Sequence, residues 1–236
     1  MRIILIAMKK YLLLVSLFLL GATATFAETT FVFKKVSSKF DVKISVENCD
    51  DDICDGKATV YLMKKNQLKP FQTIQLEETH LQLRDGMKPN SGVNEVLDSS
   101  VYGVYFEDYN FDGAEDLALS NGTYAPYGGI SHNVYLFTKT SGKFVFHRKL
   151  SEMATDAMGI ETDKKTKTLE TFTKSGCCWH QTVRYKFFGN RLVKIYSYTE
   201  DAINYNDGKV RLITERFVGK KWKKTTKVIT LEEYNK

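Results

Sequence analysis

The chain has 236 residues, 43% of them hydrophobic and 13% aromatic, with only three prolines, so it can build a packed core and is not a disordered polypeptide. Three of its 34 basic residues and none of its 28 acidic ones lie in the first 27 positions, so the formal charge of +6 falls to +3 over residues 28–236. That is too little to argue for nucleic acid as a partner.

The first 27 positions read as a secretory signal. Arg2, Lys9 and Lys10 precede an uncharged apolar run from Tyr11 to Leu20, and "GATATFA" supplies small residues ending at Ala27. Cleavage is expected before Glu28, with residues 28–236 forming a single all-β domain in the periplasm. Met8 offers a second start that leaves this signal whole. The apolar run is short for a membrane span of about 20 residues, and no cysteine follows the small residues as a lipid site, so no stable membrane anchor is expected.

Beyond residue 28 the hydrophobic pattern has period two. In "KFDVKISVE" (39–47), Phe40, Val42, Ile44 and Val46 share one face, the mark of a half-buried antiparallel strand. About a dozen such runs follow, among them "KATVYLMKK", "FQTIQL", "THLQLRD", "VYGVYFE", "DLALSNG", "HNVYLFTK", "GKFVFHRKL", "QTVRYKFF" and "KVRLITERF". "TSGK", "FGNR" and "NDGK" supply the turn residues between them. The expected fold is all-β, an antiparallel β-sandwich or an irregular β-propeller-like domain. No helix longer than about two turns stands out, although "VNEVLDSS" (93–100) suits a short one, and 84–100 reads as a surface loop. No repeat at 20 to 50 residues supports regular blades.

Between two of these runs lies "DYNFDGAEDLAL" (108–119). Asp108, Asn110, Asp112 and Asp116 fall at loop positions 1, 3, 5 and 9, Gly113 permits a sharp turn at position 6, and Ala114 offers its carbonyl at position 7. Hard oxygen donors at this spacing are what Ca2+ accepts, although Leu119 stands where a bidentate Glu would close a helix-loop-helix site. The expectation is a calcium-braced β-loop-β corner that is structural, since no general base lies beside it.

Immediately downstream, "SNGTYAPYGGISHNVYLF" (120–137) places Tyr124, Tyr127, Gly128 and Gly129 on a short loop between strands. Large amphipathic side chains on a braced loop suit recognition. Further on, "SGCCWHQTVRY" (175–185) holds an adjacent cysteine pair. Four cysteines, Cys49, Cys54, Cys177 and Cys178, in an exported chain are expected as disulfides. Three pairings are open, and joining Cys49 to Cys54 leaves the adjacent pair no other partner. No zinc-ligand spacing, G-x-S-x-G motif, phosphate loop or glycosidase carboxylate pair occurs, so no catalytic residue is assigned. Near the end, "GKKWKKTTK" (219–227) reads as a lysine-protected sheet edge, with contact to anionic glycan or lipid as the other reading.

The ordered set "CDDDICDGKATVYL", "DYNFDGAEDLAL", "YGGISHNVYLF" and "GCCWH" resembles the bacterial periplasmic proteins that act as lysozyme inhibitors or as immunity proteins against peptidoglycan-degrading effectors of type IV secretion systems. The acid loop alone resembles FG-GAP and VCBS repeats. The resemblance implies a non-enzymatic inhibitor whose protruding loop plugs the cleft of a lysozyme-like peptidoglycan hydrolase. It places that loop at 124–131, with Tyr127 as the plug and Ser131 or His132 as supporting polar contacts. A calcium-stabilised adhesion or glycan-binding module of the cell envelope is the alternative, and an exported hydrolase the weakest reading.

Overall fold

A computed structural model describes residues 28–84, 88–89, 92–96, 101–203 and 208–236. The expected signal segment therefore lies outside the described residues, as do 97–100 of the expected short helix and 206–207 of the "NDGK" turn.

The fold is all-β, in three sheets of six, four and six strands. The first sheet contains β1 (Thr29–Phe33), β2 (Phe40–Asp50), β3 (Ile53–Lys64), β4 (Gln72–Leu83), β5 (Val93–Val96) and β6 (Val101–Tyr102), ordered β5-β1-β2-β3-β4-β6. The second is a meander of β7 (Val104–Glu107), β8 (Asp116–Ser120), β9 (His132–Thr138) and β10 (Lys143–Phe146), each strand hydrogen-bonded antiparallel to the next. The third is a meander of β11 (Ile160–Asp163), β12 (Thr168–Ser175), β13 (Trp179–Phe188), β14 (Arg191–Asp201), β15 (Lys209–Val218) and β16 (Lys221–Thr230). Helix α1 (Arg148–Asp156) joins the second sheet to the third, and the single turn α2 (Leu231–Tyr234) follows β16.

Two apolar cores hold these sheets together. Phe31, Phe33, Val42, Ile44 and Leu62 of the first sheet pack with Leu117, Leu119 and Phe144 of the second. On the opposite face of the second sheet, Ala118 and Val134 pack with Leu150 and Met153 of α1 and with Leu169 and Leu192 of the third sheet. Covered on both faces, β8 is buried at every position, unlike the edge strands β10 and β16, which are mostly exposed.

Several local expectations change. Val93–Val96 is a strand rather than the start of a helix, because it completes the edge beside β1, and it does so in parallel, with Thr30 opposite Val93. "GKFVFHRKL" does not continue as a strand. It stops at Phe146, and His147 caps α1 by accepting the Leu150 N–H on Nδ1 at 3.2 Å. Leu150, Met153, Ala154 and Ala157, spaced i, i+3, i+4 and i+7, are all buried. "FQTIQL" and "THLQLRD" belong to one strand, β4. "VYGVYFE" is two strands in two sheets, divided at Gly103, whose φ of +126° lets the chain cross between them.

The disulfides form locally. Cys49 and Cys54 face each other across the β2–β3 ladder and are bonded, and Cys177 is bonded to Cys178 in the turn between β12 and β13. Two disulfides fit an exported protein of an oxidising compartment. Among the described residues no helix is long and apolar enough to cross a membrane.

Candidate functional site

The acid loop from Asp108 to Asp116 is a chain of side-chain-capped turns. Phe111 and Gly113 take left-handed backbone, with φ of 59° and 82°, and curl the loop inward. Asp108 accepts the N–H groups of Asp112 at 3.0 Å and Gly113 at 2.8 Å, and Asn110 Oδ1 accepts Asp112 N–H at 3.0 Å. Asp112 accepts Ala114 N–H at 2.8 Å, while Lys139 Nζ donates to the Asp112 carbonyl at 2.5 Å and lies 3.3 Å from its carboxylate. Burial pulls the Asp112 carboxyl upward, but these donors outweigh it and hold it below the usual range.

The two acids that end the loop act differently. Asp116 is fully buried and accepts N–H groups from Tyr109 at 2.9 Å, Asn110 at 3.4 Å and Phe137 at 2.8 Å. Burial pushes its carboxyl up to about 7 against those bonds. Glu115, which no motif singled out, accepts the Ser37 hydroxyl at 2.7 Å and the Ser38 N–H at 3.2 Å. The corner is thus tied to β9 by one carboxylate and to the first sheet by the next.

As an ion site the loop fits in part. Asp108, Asn110 and Asp112 share one turn and have lone pairs beyond their amide bonds, and the Ala114 carbonyl follows at the expected position. Asp116 instead spends its oxygens on three amides. Among the described residues no three carboxylate, imidazole or thiolate groups converge at metal-binding distance.

Strand β8 leads from this corner into a tongue, residues 121–131. Its neck is closed by Asn121 N–H to the Ser131 carbonyl and Ser131 N–H to the Gly122 carbonyl, both 3.0 Å. Its tip is closed by Ala125 N–H to the Gly129 carbonyl at 3.1 Å and Gly128 N–H to the Ala125 carbonyl at 3.1 Å. Tyr127 sits at the apex with φ 62° and ψ 27°, an unusual state for a bulky residue. Gly128 also has positive φ, at 72°, whereas Gly129 is extended, and there a Cβ would stand 3.3 Å from the Pro126 carbonyl oxygen.

Two tyrosines stand out from this tongue, Tyr124 at 61% and Tyr127 at 64% exposure. Each is steadied at its far end. The Tyr124 hydroxyl donates to Glu78 of β4. The Tyr127 hydroxyl accepts the Gly176 N–H at 2.6 Å, and Lys174 Nζ lies 5.1 Å from the ring centroid. Gly176 immediately precedes the Cys177–Cys178 turn, so the tyrosine loop and the cysteine corner, separate in the sequence, form one surface.

Ser131 and His132 are not on that surface. Ser131 is fully buried, its hydroxyl donating to the Gly122 carbonyl at 3.1 Å and accepting Tyr124 N–H at 3.3 Å. Its place is the clamp of the neck rather than a contact with a partner. The His132 ring packs edge-on against Tyr105 at 5.3 Å, its Nε2 is buried with no hydrogen-bond partner, and burial holds its imidazole down to about 4. Glu78, Lys174, Gly176 and Glu115 carry parts of the site that spacing could not reveal, because each comes from a distant stretch of chain.

No protein-family model and no curated protein matches this sequence. Among solved structures, a Xanthomonas type IV secretion system related protein superposes with a TM-score of 0.63 at 22% identity, over 88% of this chain and 97% of that one. The two chains share a fold.

Proposed function

We propose that this protein is a periplasmic inhibitor of the immunity type, which binds a lysozyme-like peptidoglycan hydrolase and has no turnover of its own. The tongue 121–131 enters the substrate cleft, with Tyr127 as the plug and Tyr124 beside it. The observation that carries this reading is the pair of exposed tyrosines on a tongue closed at neck and tip by its own hydrogen bonds. Such a loop is already ordered before contact, so binding costs little further entropy. Tyrosine supplies large contact area with few rotatable bonds. The fold shared with a protein related to a type IV secretion system supports the same reading.

The acid corner is the brace of that tongue. Asp108, Asn110, Asp112 and the Ala114 carbonyl would hold Ca2+, with Asp116 anchoring the corner to β9. A bound calcium ion would supply charge compensation to crowded carboxylates and no chemistry on a substrate.

The test is the clearing rate of a peptidoglycan suspension by a panel of lysozyme-type hydrolases, with and without the purified protein in calcium. At least one hydrolase is expected to slow. Tyr127→Ala should then lose about 2 kcal/mol or more of binding with an unchanged melting temperature. Full activity of every hydrolase, or undiminished inhibition by Tyr127→Ala, defeats the reading.

A further inference from the structure

The β15–β16 hairpin sets itself apart in charge and exposure. Residues 209–230 carry eight lysines and arginines against one carboxylate, Glu215, which is engaged by Lys194 at 3.4 Å and Ser197 at 3.0 Å. With +3 over residues 28–236, all of the net positive charge after position 27 is concentrated here. Pairing with β14 ends at Tyr196 opposite Arg216, so residues 217–222 pair only with each other. Their turn has left-handed backbone at both central positions, Gly219 at 57° and Lys220 at 66°, as a two-residue hairpin turn requires.

This tip combines two features that edge protection alone does not explain. Phe217, Val218 and Trp222 are 37%, 50% and 47% exposed, and the two rings face each other at 5.5 Å. Around them stand Lys220, Lys221, Lys223 and Lys224; Lys224 lies opposite Glu215 and helps to hold that carboxyl down, while the other three make no ion pair among the described residues. Lysines alone would keep an edge strand from pairing. A hydrated polyanion would use the cations but not the aliphatic and aromatic tip. A surface that takes both is the headgroup layer of an anionic bilayer, where aromatic rings settle at the interface and lysines reach phosphates.

We propose that the β15–β16 tip docks the protein peripherally on anionic phospholipid. Phe217, Val218 and Trp222 enter the interface, and Lys220, Lys221, Lys223 and Lys224 pair with lipid phosphates. The contact is reversible and weakens with salt, since it is partly electrostatic and involves no spanning segment. It makes no use of the tongue and stands whether or not a hydrolase is bound.

Co-sedimentation of the purified protein with vesicles of phosphatidylglycerol, and separately of phosphatidylcholine, tests this, with tryptophan emission as a second readout. Pelleting with phosphatidylglycerol and not phosphatidylcholine is expected, with a blue shift that Trp222→Phe removes while Trp179 remains. Each Lys→Gln change at the tip should weaken binding about fivefold. No pelleting with phosphatidylglycerol overturns the proposal. So does binding to an anionic polysaccharide such as heparin with no affinity for vesicles, which would mark a polyanion surface. Binding undiminished when all four lysines are changed would place the contact elsewhere and also overturn it.

Discussion

His132 shows how one side chain can set a pH limit on the fold. Its imidazole is buried at the root of the tongue without a partner for Nε2 and is held down to about 4, against an ordinary value of 6.5. Because the unfolded chain binds the proton more tightly, this group's contribution is fully present above pH 6.5. It is lost as pH falls from 6.5 through 4, to a total of about 3 kcal/mol. Asp116 works against it, because a carboxyl raised to about 7 adds stability as pH falls through the same window. The readout is therefore a difference between two proteins: the urea midpoint of His132→Leu should gain on that of the natural protein as pH falls from 6.5 to 4. A constant difference across that window would show that His132 does not set the limit. Tyr127 makes the opposite kind of statement, since its left-handed backbone is held by the closed tip and by Gly176 rather than by burial.

At the scale of the element, the corner and the strand crossing do most to place the tongue. Calcium should raise the melting temperature, and a chelator should reverse the rise, because the charges of Asp108 and Asp112 crowd one turn, with Lys139 beside Asp112 and with Lys164, near Asp108, already paired to Glu107 at 3.0 Å. Asp112→Ala should abolish that response, and a melt indifferent to calcium would rule the ion out. The crossing depends on Gly103. A Cβ there would lie 2.6 Å from Leu81 Cδ2 and 2.8 Å from Ser120 Oγ, on a backbone with φ of +126°. Gly103→Ala should therefore cost about 2 kcal/mol or more in chemical denaturation. A loss under half that would mean that β6 and β7 can shift apart freely.

Across the whole molecule, the second sheet is the layer that both cores share. Leu119 is fully buried between the sheets, whereas Leu68 is almost fully exposed on the β3–β4 connection. Leu119→Ala should destabilise by about 3 to 5 kcal/mol and Leu68→Ala by almost nothing, read as urea unfolding free energies. Equal effects would contradict the layering. The charge distribution is the other global property. It leaves the basic hairpin at one end of the third meander and the tyrosine tongue on the second sheet, two surfaces with different chemistries.

What the sequence determined by itself was local. Alternation specified most strands, since one buried face imposes period two, and the acid loop and basic hairpin were legible because neighbours along the chain make them. Helix α1 was legible too, in the spacing of Leu150, Met153, Ala154 and Ala157, but the strand-like start of "GKFVFHRKL" hid it. Only the tertiary structure brought Tyr127 to Gly176, Tyr124 to Glu78 and Glu115 to Ser37, contacts between residues 49, 46 and 78 positions apart. It also turned Ser131 and His132 inward. Sheet order and register decide which distant strands meet and which way a side chain points, and neither is encoded in the spacing of residues along one strand.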